Sequence, residues 1–237
     1  MQSKPFRLEL TPLTFLRRNA DALGERTAVV HGEQRYDYAE LQRRCNRLAS
    51  ALRDRGLEKH DRVAILCPNI PALLEAHFGV PLAGGVLVPM NTRAGADDIA
   101  YILEDSGARF VFVDESLRSL VDDADVEGVE TVVVKDTGQS DDPYEEFLAS
   151  GSGDPPESWL EDENEPISIN YTSGTTGQSK GAIYTHRGAY LRAHGVALET
   201  RLNYDSVHLW TLPMFHCDGW CLTWGVTAAG CTHVCLR

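Results

Sequence analysis

Eleven residues in the second half of the chain, Tyr171-Thr172-Ser173-Gly174-Thr175-Thr176-Gly177-Gln178-Ser179-Lys180-Gly181, combine hydroxyls, glycines and one cation in an order suited to holding polyphosphate. Gly174 and Gly177 can take positive φ and let backbone N–H groups converge on an anion, Thr172, Ser173, Thr175 and Thr176 add hydroxyl donors, and Lys180 adds a point charge. A nucleoside triphosphate is the natural occupant, with Lys180 and Thr176 the donors on which chemistry at the phosphates would most depend. The stretch is not a Walker A loop, because Lys180 follows Ser179 and precedes Gly181 where that motif needs Gly-Lys-Ser/Thr. The competing reading is a flexible Ser/Thr/Gly surface loop.

A second cluster, Leu212-Pro213-Met214-Phe215-His216-Cys217-Asp218-Gly219-Trp220-Cys221, brings an imidazole and an indole together after an apolar run, with Pro213 and Gly219 shaping a turn. Alone it says little, since a histidine beside aromatic residues is more often a packed structural group than a catalyst. Cys231, His233 and Cys235 would share one strand face, but the usual zinc spacing is absent, so these and the other cysteines (Cys45, Cys67, Cys217, Cys221) read as reduced, small core residues and not as metal ligands or a disulfide framework.

The elements that must position these residues follow from periodicity. Asp37 and Glu40 form a capping-box-like start, and Leu41, Cys45, Leu48, Ala49 and Leu52 recur at helical spacing until Gly56. Strands are predicted over 62–67, 86–90, 109–113, 131–134, 167–171, 207–212 and 232–236, and helices over 70–82, 97–104, 144–149 and 186–201. Such alternation argues for α/β architecture with mostly parallel sheets flanked by helices. Residues 151–166, with Pro155, Pro156 and Glu161-Asp162-Glu163, read as a solvated acidic connector and not a catalytic carboxylate cluster.

Composition sets outer bounds. The chain has 237 residues, enough for one large or two small domains, and 43% of them are hydrophobic, enough for a sizeable core. A net charge of −13 without any cluster of positive charge argues against nucleic-acid or anionic-membrane partners. Only four lysines occur, a pattern shared by proteins of high-salt cytosols and by ordinary acidic proteins. The first ten residues lack a secretory apolar core, and no apolar run approaches the ~20 residues of a membrane span, which points to the cytoplasm.

Tyr-Thr-Ser-Gly-Thr-Thr-Gly-x-x-Lys-Gly resembles the signature of the adenylate-forming (AMP-binding) superfamily, which includes acyl- and aryl-CoA synthetases, peptide-synthetase adenylation domains and luciferases. The run Pro213-Met214-Phe215-His216-Cys217-x-Gly219-Trp220 looks like the fatty-acyl and aromatic-acyl CoA ligase branch, and the likeness extends back through Val88-Pro89-Met90-Asn91-Thr92-Arg93 to Tyr36-Asp37-Tyr38-Ala39-Glu40-Leu41 and Thr27-Ala28-Val29. It implies part of a large N-terminal domain: a first α/β subdomain over 1–150, the connector 151–166, and a phosphate-loop and acyl-pocket segment over 167–237. It implies His216 and Trp220 as wall or gate of the acyl pocket, with Asp218, where many relatives are expected to carry Asn, placing a charge near the pocket mouth. It further implies ATP, Mg²⁺ held on the phosphates without a dedicated protein cage, CoA, a fatty or aromatic carboxylic acid, and compatibility with a homodimer. The family's later segments for adenine, ribose and the catalytic lysine of a C-terminal domain have no counterpart before Arg237, so the expectation is an N-terminal portion, inactive alone. A carrier-loading adenylation domain and a non-catalytic nucleotide- or partner-binding remnant are the alternatives.

Overall fold

From its N-terminal side the chain runs through α1 (Leu13–Ala22) into a hairpin of β1 (Thr27–His31) and β2 (Gln34–Asp37), and Asp37 then starts α2 (Tyr38–Asp54) by accepting a hydrogen bond from the Glu40 amide at 2.7 Å. The predicted stripe is the buried face of α2, and the chain leaves it through Gly56 at φ +82°. The computed structural model describes residues 8–172 and 178–237. β3 (Arg62–Leu66), α3 (Pro71–Leu82), β4 (Val86–Pro89), α4 (Ala96–Ser106), β5 (Ala108–Asp114), α5 (Arg118–Ala124), β6 (Glu130–Val134) and α6 (Pro143–Ala149) follow in the predicted alternation. The second half adds β7 (Pro166–Thr172), β8 (Lys180–Thr185), α7 (His186–Glu199), β9 (Val207–Leu209), a four-residue turn α8 (Cys217–Trp220), α9 (Leu222–Ala228) and β10 (Thr232–Val234).

Two sheets result. The larger has the order β6-β5-β3-β4-β7-β8, parallel throughout except for β7 against β8, and the smaller has the order β2-β1-β10-β9, parallel except for the first hairpin. Both sheets take strands from before residue 150 and from after residue 166. Along β3, Val63 and Ile65 face one core with α2, α3 and the smaller sheet, while Ala64 and Leu66 face a second core with Ile99, Ile102 and Leu103 of α4. Strands buried on both faces read as continuous apolar runs, as these do. α3 is buried from Pro71 to Pro81, so its polar residues Glu75 and His77 must find partners inside the protein.

Three expectations need correction. The phosphate-loop strand does not lead directly to a helix: β8 intervenes, pairing antiparallel with β7 from Thr172↔Lys180 to Pro166↔Thr185. The strand expected over 207–212 stops at Leu209, because the Trp210 side chain turns fully into the core and its indole N–H donates to His233 Nδ1 at 3.1 Å. The acidic connector is pinned, not merely solvated. The Glu165 carboxylate accepts from Lys59, His60 and the amides of Glu161 and Asp162, and although burial opposes its ionisation, these bonds hold it down at about 2.

Two buried histidines carry a prediction. Burial lowers His186 to about 4, against an opposing pull from Glu165, and burial with the nearby His208 and His77 lowers His233 to about 3. Both are held as neutral acceptors or donors, His186 Nδ1 lying 2.8 Å from Thr11 Oγ1 and His233 Nε2 3.0 Å from Thr227 Oγ1. Unfolded histidines bind protons below about pH 6.5 and these folded ones do not until about 4 and 3, so their contribution is full above 6.5 and is lost as pH falls through that window. The unfolding free energy from urea titrations should therefore fall between pH 6.5 and 4.5 by about 1 kcal/mol per pH unit per histidine. His186→Gln should flatten the slope. His31 works in the opposite sense: its bond to Asp136 raises it, so its contribution is complete below 6.5 and fades as pH rises through its folded value.

Candidate active site

β7 is an inner strand, between β4 and β8, and its two faces have different duties. Ile169 and Tyr171 pack toward the α4 core, where the Tyr171 hydroxyl donates to Asp105 at 2.6 Å and Tyr101 donates to the Ser179 carbonyl at 3.1 Å. Ser168 and Asn170 turn the other way, toward Asp218. The hairpin opens at Thr172 and Lys180, which are register partners, both exposed, with the Thr172 hydroxyl 3.4 Å from the Lys180 carbonyl oxygen. Ser173, Gly174, Thr175, Thr176 and Gly177 lie outside the described residues. The described part of the site is thus a two-strand frame that pairs Thr172 with Lys180 at one end of a mostly parallel sheet.

The second predicted cluster follows β9. Asn69, in the turn between β3 and α3, clamps it: its amide donates to the carbonyls of Trp210 and Leu212 at 3.0 and 2.8 Å, and its oxygen accepts from the Met214 amide at 2.8 Å. Five consecutive residues, Cys217 to Cys221, then have φ between +50° and +61°. For the four that are not glycine, this left-handed backbone costs about 1–2 kcal/mol each. Gly219 is required for a second reason, since a Cβ there would lie 2.5 Å from the Trp210 ring. The turn leaves His216 exposed and Trp220 56% exposed.

Asp218 does not sit at a pocket mouth. It is fully buried, and its Oδ2 accepts from the Ser168 hydroxyl at 2.7 Å and the Asn170 amide at 2.9 Å, while its own amide donates to Asn170 Oδ1 at 3.3 Å. Its Oδ1 stands 3.3 Å from His77 Nε2, on the buried helix α3. The structure therefore joins the two sequence signatures through β7, using Ser168, Asn170, His77 and Asn69, none of which the sequence had marked. The one available signal was polar residues at 168, 170, 75 and 77 in runs otherwise apolar enough to be buried.

Among the described residues no group of three or more His, Cys, Asp or Glu could hold a metal ion, and Cys231, His233 and Cys235 are buried side chains of the core. No helix among them is long and apolar enough to cross a membrane.

The AMP-binding enzyme family matches residues 16–237. The chain belongs to that family. Its members related to this chain include the acetate–CoA ligase CCL3 of Humulus lupulus, 42% identical over 96% of this chain and 44% of its own length. Among solved structures, the inhibitor-bound N-terminal domain of FACL13 from Mycobacterium tuberculosis superposes with a TM-score of 0.87 at 28% identity, over 97% of this chain and 57% of that one. ATP-bound MatB from Rhodopseudomonas palustris superposes with a TM-score of 0.82 at 26% identity, over 94% and 45%. This AMP-binding chain thus spans less than half the length of the curated relative, and its α/β fold is that of part of an acyl-CoA synthetase N-terminal domain.

Proposed function

We propose that this AMP-binding chain supplies the phosphate loop and acid-facing turn of an AMP-forming acid–CoA ligase. The observation that supports the reading is the β7–β8 frame, in which Thr172 and Lys180, the residues that flank the Ser/Thr/Gly stretch in sequence, are register partners, within a chain of this family. In the first step a carboxylate oxygen attacks the α-phosphorus of ATP, and the bond to pyrophosphate breaks. In the second a CoA thiolate attacks the acyl carbon and AMP leaves. Negative charge grows on the departing pyrophosphate, and the donors that the Ser/Thr/Gly loop offers in its sequence, its amides, the hydroxyls of Thr172, Ser173, Thr175 and Thr176 and the Lys180 ammonium, would lower that barrier by meeting this charge. Mg²⁺ fits this site as a passenger on the phosphates, keeping water and substrate oxygens as ligands, and when bound it neutralises their charge. Such a reaction belongs in the cytoplasm or another compartment supplied with ATP and CoA.

The test is to graft residues 1–237 in place of the matching segment of the hop acetate–CoA ligase and to follow ATP–pyrophosphate exchange with a panel of aliphatic and aromatic acids, then AMP release on adding CoA. Acid-dependent exchange supports the proposal. A folded graft without exchange overturns it, and exchange without thioester formation would favour a carrier-loading role. In the same graft Trp220→Ala is expected to change the ranking of acids by length or bulk by roughly 10-fold, with apparent ATP affinity unchanged. An unchanged ranking with collapsed ATP affinity would remove Trp220 and His216 from the acid pocket.

A further inference from the structure

Three distant parts of the chain, α3, β7 and the α8–α9 segment, meet at Asp218, and the proton count there does not close with ordinary charges. His77 Nδ1 lies 2.7 Å from the Leu73 carbonyl oxygen, which can only accept, so Nδ1 carries a hydrogen. His77 Nε2 then presents a lone pair unless it is protonated too. It faces Asp218 Oδ1 at 3.3 Å, both side chains are fully buried, and neither atom has any other hydrogen-bond partner among the described residues. A bare lone pair held against an ionised carboxylate oxygen in the buried interior is repulsive on both sides and leaves two unsatisfied polar atoms. One proton between them removes both penalties, whether it resides on nitrogen or on oxygen.

The same carboxylate also holds the left-handed turn. Ser168 and Asn170 grip its other oxygen from β7, the Asp218 carbonyl accepts from the Thr223 hydroxyl at 3.1 Å, and Trp224 of α9 donates its indole N–H to the His77 carbonyl at 3.1 Å and packs edge-on to the His77 ring. A backbone run disfavoured at four non-glycine positions persists only where its surroundings fix it. Here the fixing contacts converge on one side chain. We propose that Asp218 and His77 hold one proton between them, and that this buried pair ties the strained turn bearing His216 and Trp220 to β7, the strand that opens into the Ser/Thr/Gly loop. Asp218 and His77 are thereby positioning residues: they set the spacing between the phosphate-facing and acid-facing segments, which an in-line attack of carboxylate on phosphorus requires to be held closely. That catalytic meaning rests on the function proposed above, whereas the proton and the tie do not.

Asparagine in place of this aspartate separates the possibilities. Its amide oxygen can accept from Ser168 and Asn170 while its NH₂ donates to an unprotonated His77 Nε2, so Asp218→Asn closes the same network with no extra proton. The experiment uses the 237-residue chain labelled at histidine nitrogens and aspartate carboxyls, observed by NMR at pH 7, with amide hydrogen exchange over residues 216–221. In the wild type a proton is expected on His77 Nε2 or on the Asp218 carboxyl, and in Asp218→Asn His77 should become the neutral Nδ1–H form with exchange of the turn unchanged. Where the proton is found on His77 Nε2, His77→Phe should raise the unfolding equilibrium constant and the exchange of the turn amides at least ~10-fold more in the wild-type background than in the Asp218→Asn background, because it then strands a buried charge only beside the aspartate. Should His77→Phe fail to fold, the labelled wild type and Asp218→Asn decide alone. An ionised Asp218 facing an unprotonated Nε2 overturns the proposal, as do equal effects of His77→Phe in both backgrounds where the proton is found on His77. Neither outcome depends on enzymatic activity, so a graft inactive for other reasons leaves this result standing.

Discussion

Replacing Lys180 with alanine in the grafted enzyme is expected to slow acid-dependent ATP–pyrophosphate exchange by roughly 10- to 1,000-fold, the loss seen when one preorganised donor to a developing negative charge is removed. The residue is well placed for a clean experiment. Lys180 is exposed, begins the edge strand β8 and meets Thr172 through backbone register, so trimming its side chain should leave the hairpin intact and change stability by no more than about 0.5 kcal/mol. Lys180→Arg keeps the charge but exchanges a compact ammonium for a wider planar fork, and should recover part of the rate. Thr176→Ala removes a hydroxyl and not a charge, so its effect should be smaller. Wild-type exchange in both alanine variants would reduce the loop to a surface connection.

The largest stability effect is expected at Arg44. Its guanidinium bonds Glu75 at 2.6 and 3.3 Å and Glu145 at 2.7 and 2.8 Å, lies over the Tyr36 ring at 4.8 Å, and is almost fully buried, while Tyr144 donates to Glu75 at 2.7 Å. Arg44→Ala leaves the wholly buried Glu75 carboxylate with only a phenol for company, and should cost about 3–5 kcal/mol in urea unfolding. Arg44→Met with Glu75→Gln removes both charges, keeps an acceptor for Tyr144, and should cost much less. If the double variant is as unstable as the single one, lost packing and not the stranded charge is the cause.

How far these features could be read from residue order depends on how local their causes are. The capping contact at Asp37, the stripe of α2 and the stop at Gly56 arise within one helix and were legible. So was the alternation of β3, α3, β4, α4 and β5, since strands buried on both faces announce themselves as unbroken apolar runs. β8 was not legible: Lys180 to Thr185 includes a glycine and lies at an exposed edge, so it lacks the alternation that marks a half-buried strand, and only pairing with β7 makes it one. The left-handed turn was hidden for a related reason. Its five residues contain a single glycine, and the conformation is imposed by His77, Ser168 and Asn170, which are remote in sequence. An aspartate among aromatic residues invites a surface reading, and long-range packing put it in the interior instead.

The smaller sheet has a consequence for how this protein is born. β1 bonds directly to β10, and the Thr232 hydroxyl reaches the Thr27 carbonyl across 205 residues of chain. At about 5–20 residues per second on the ribosome, the β1–β2 hairpin waits roughly 10–40 s for that partner. A lone two-stranded hairpin is marginal in water, and until β10 arrives one side of β1 is an open row of amides and carbonyls. The small sheet closes only once β9 and β10 have been made, long after the hairpin that begins it.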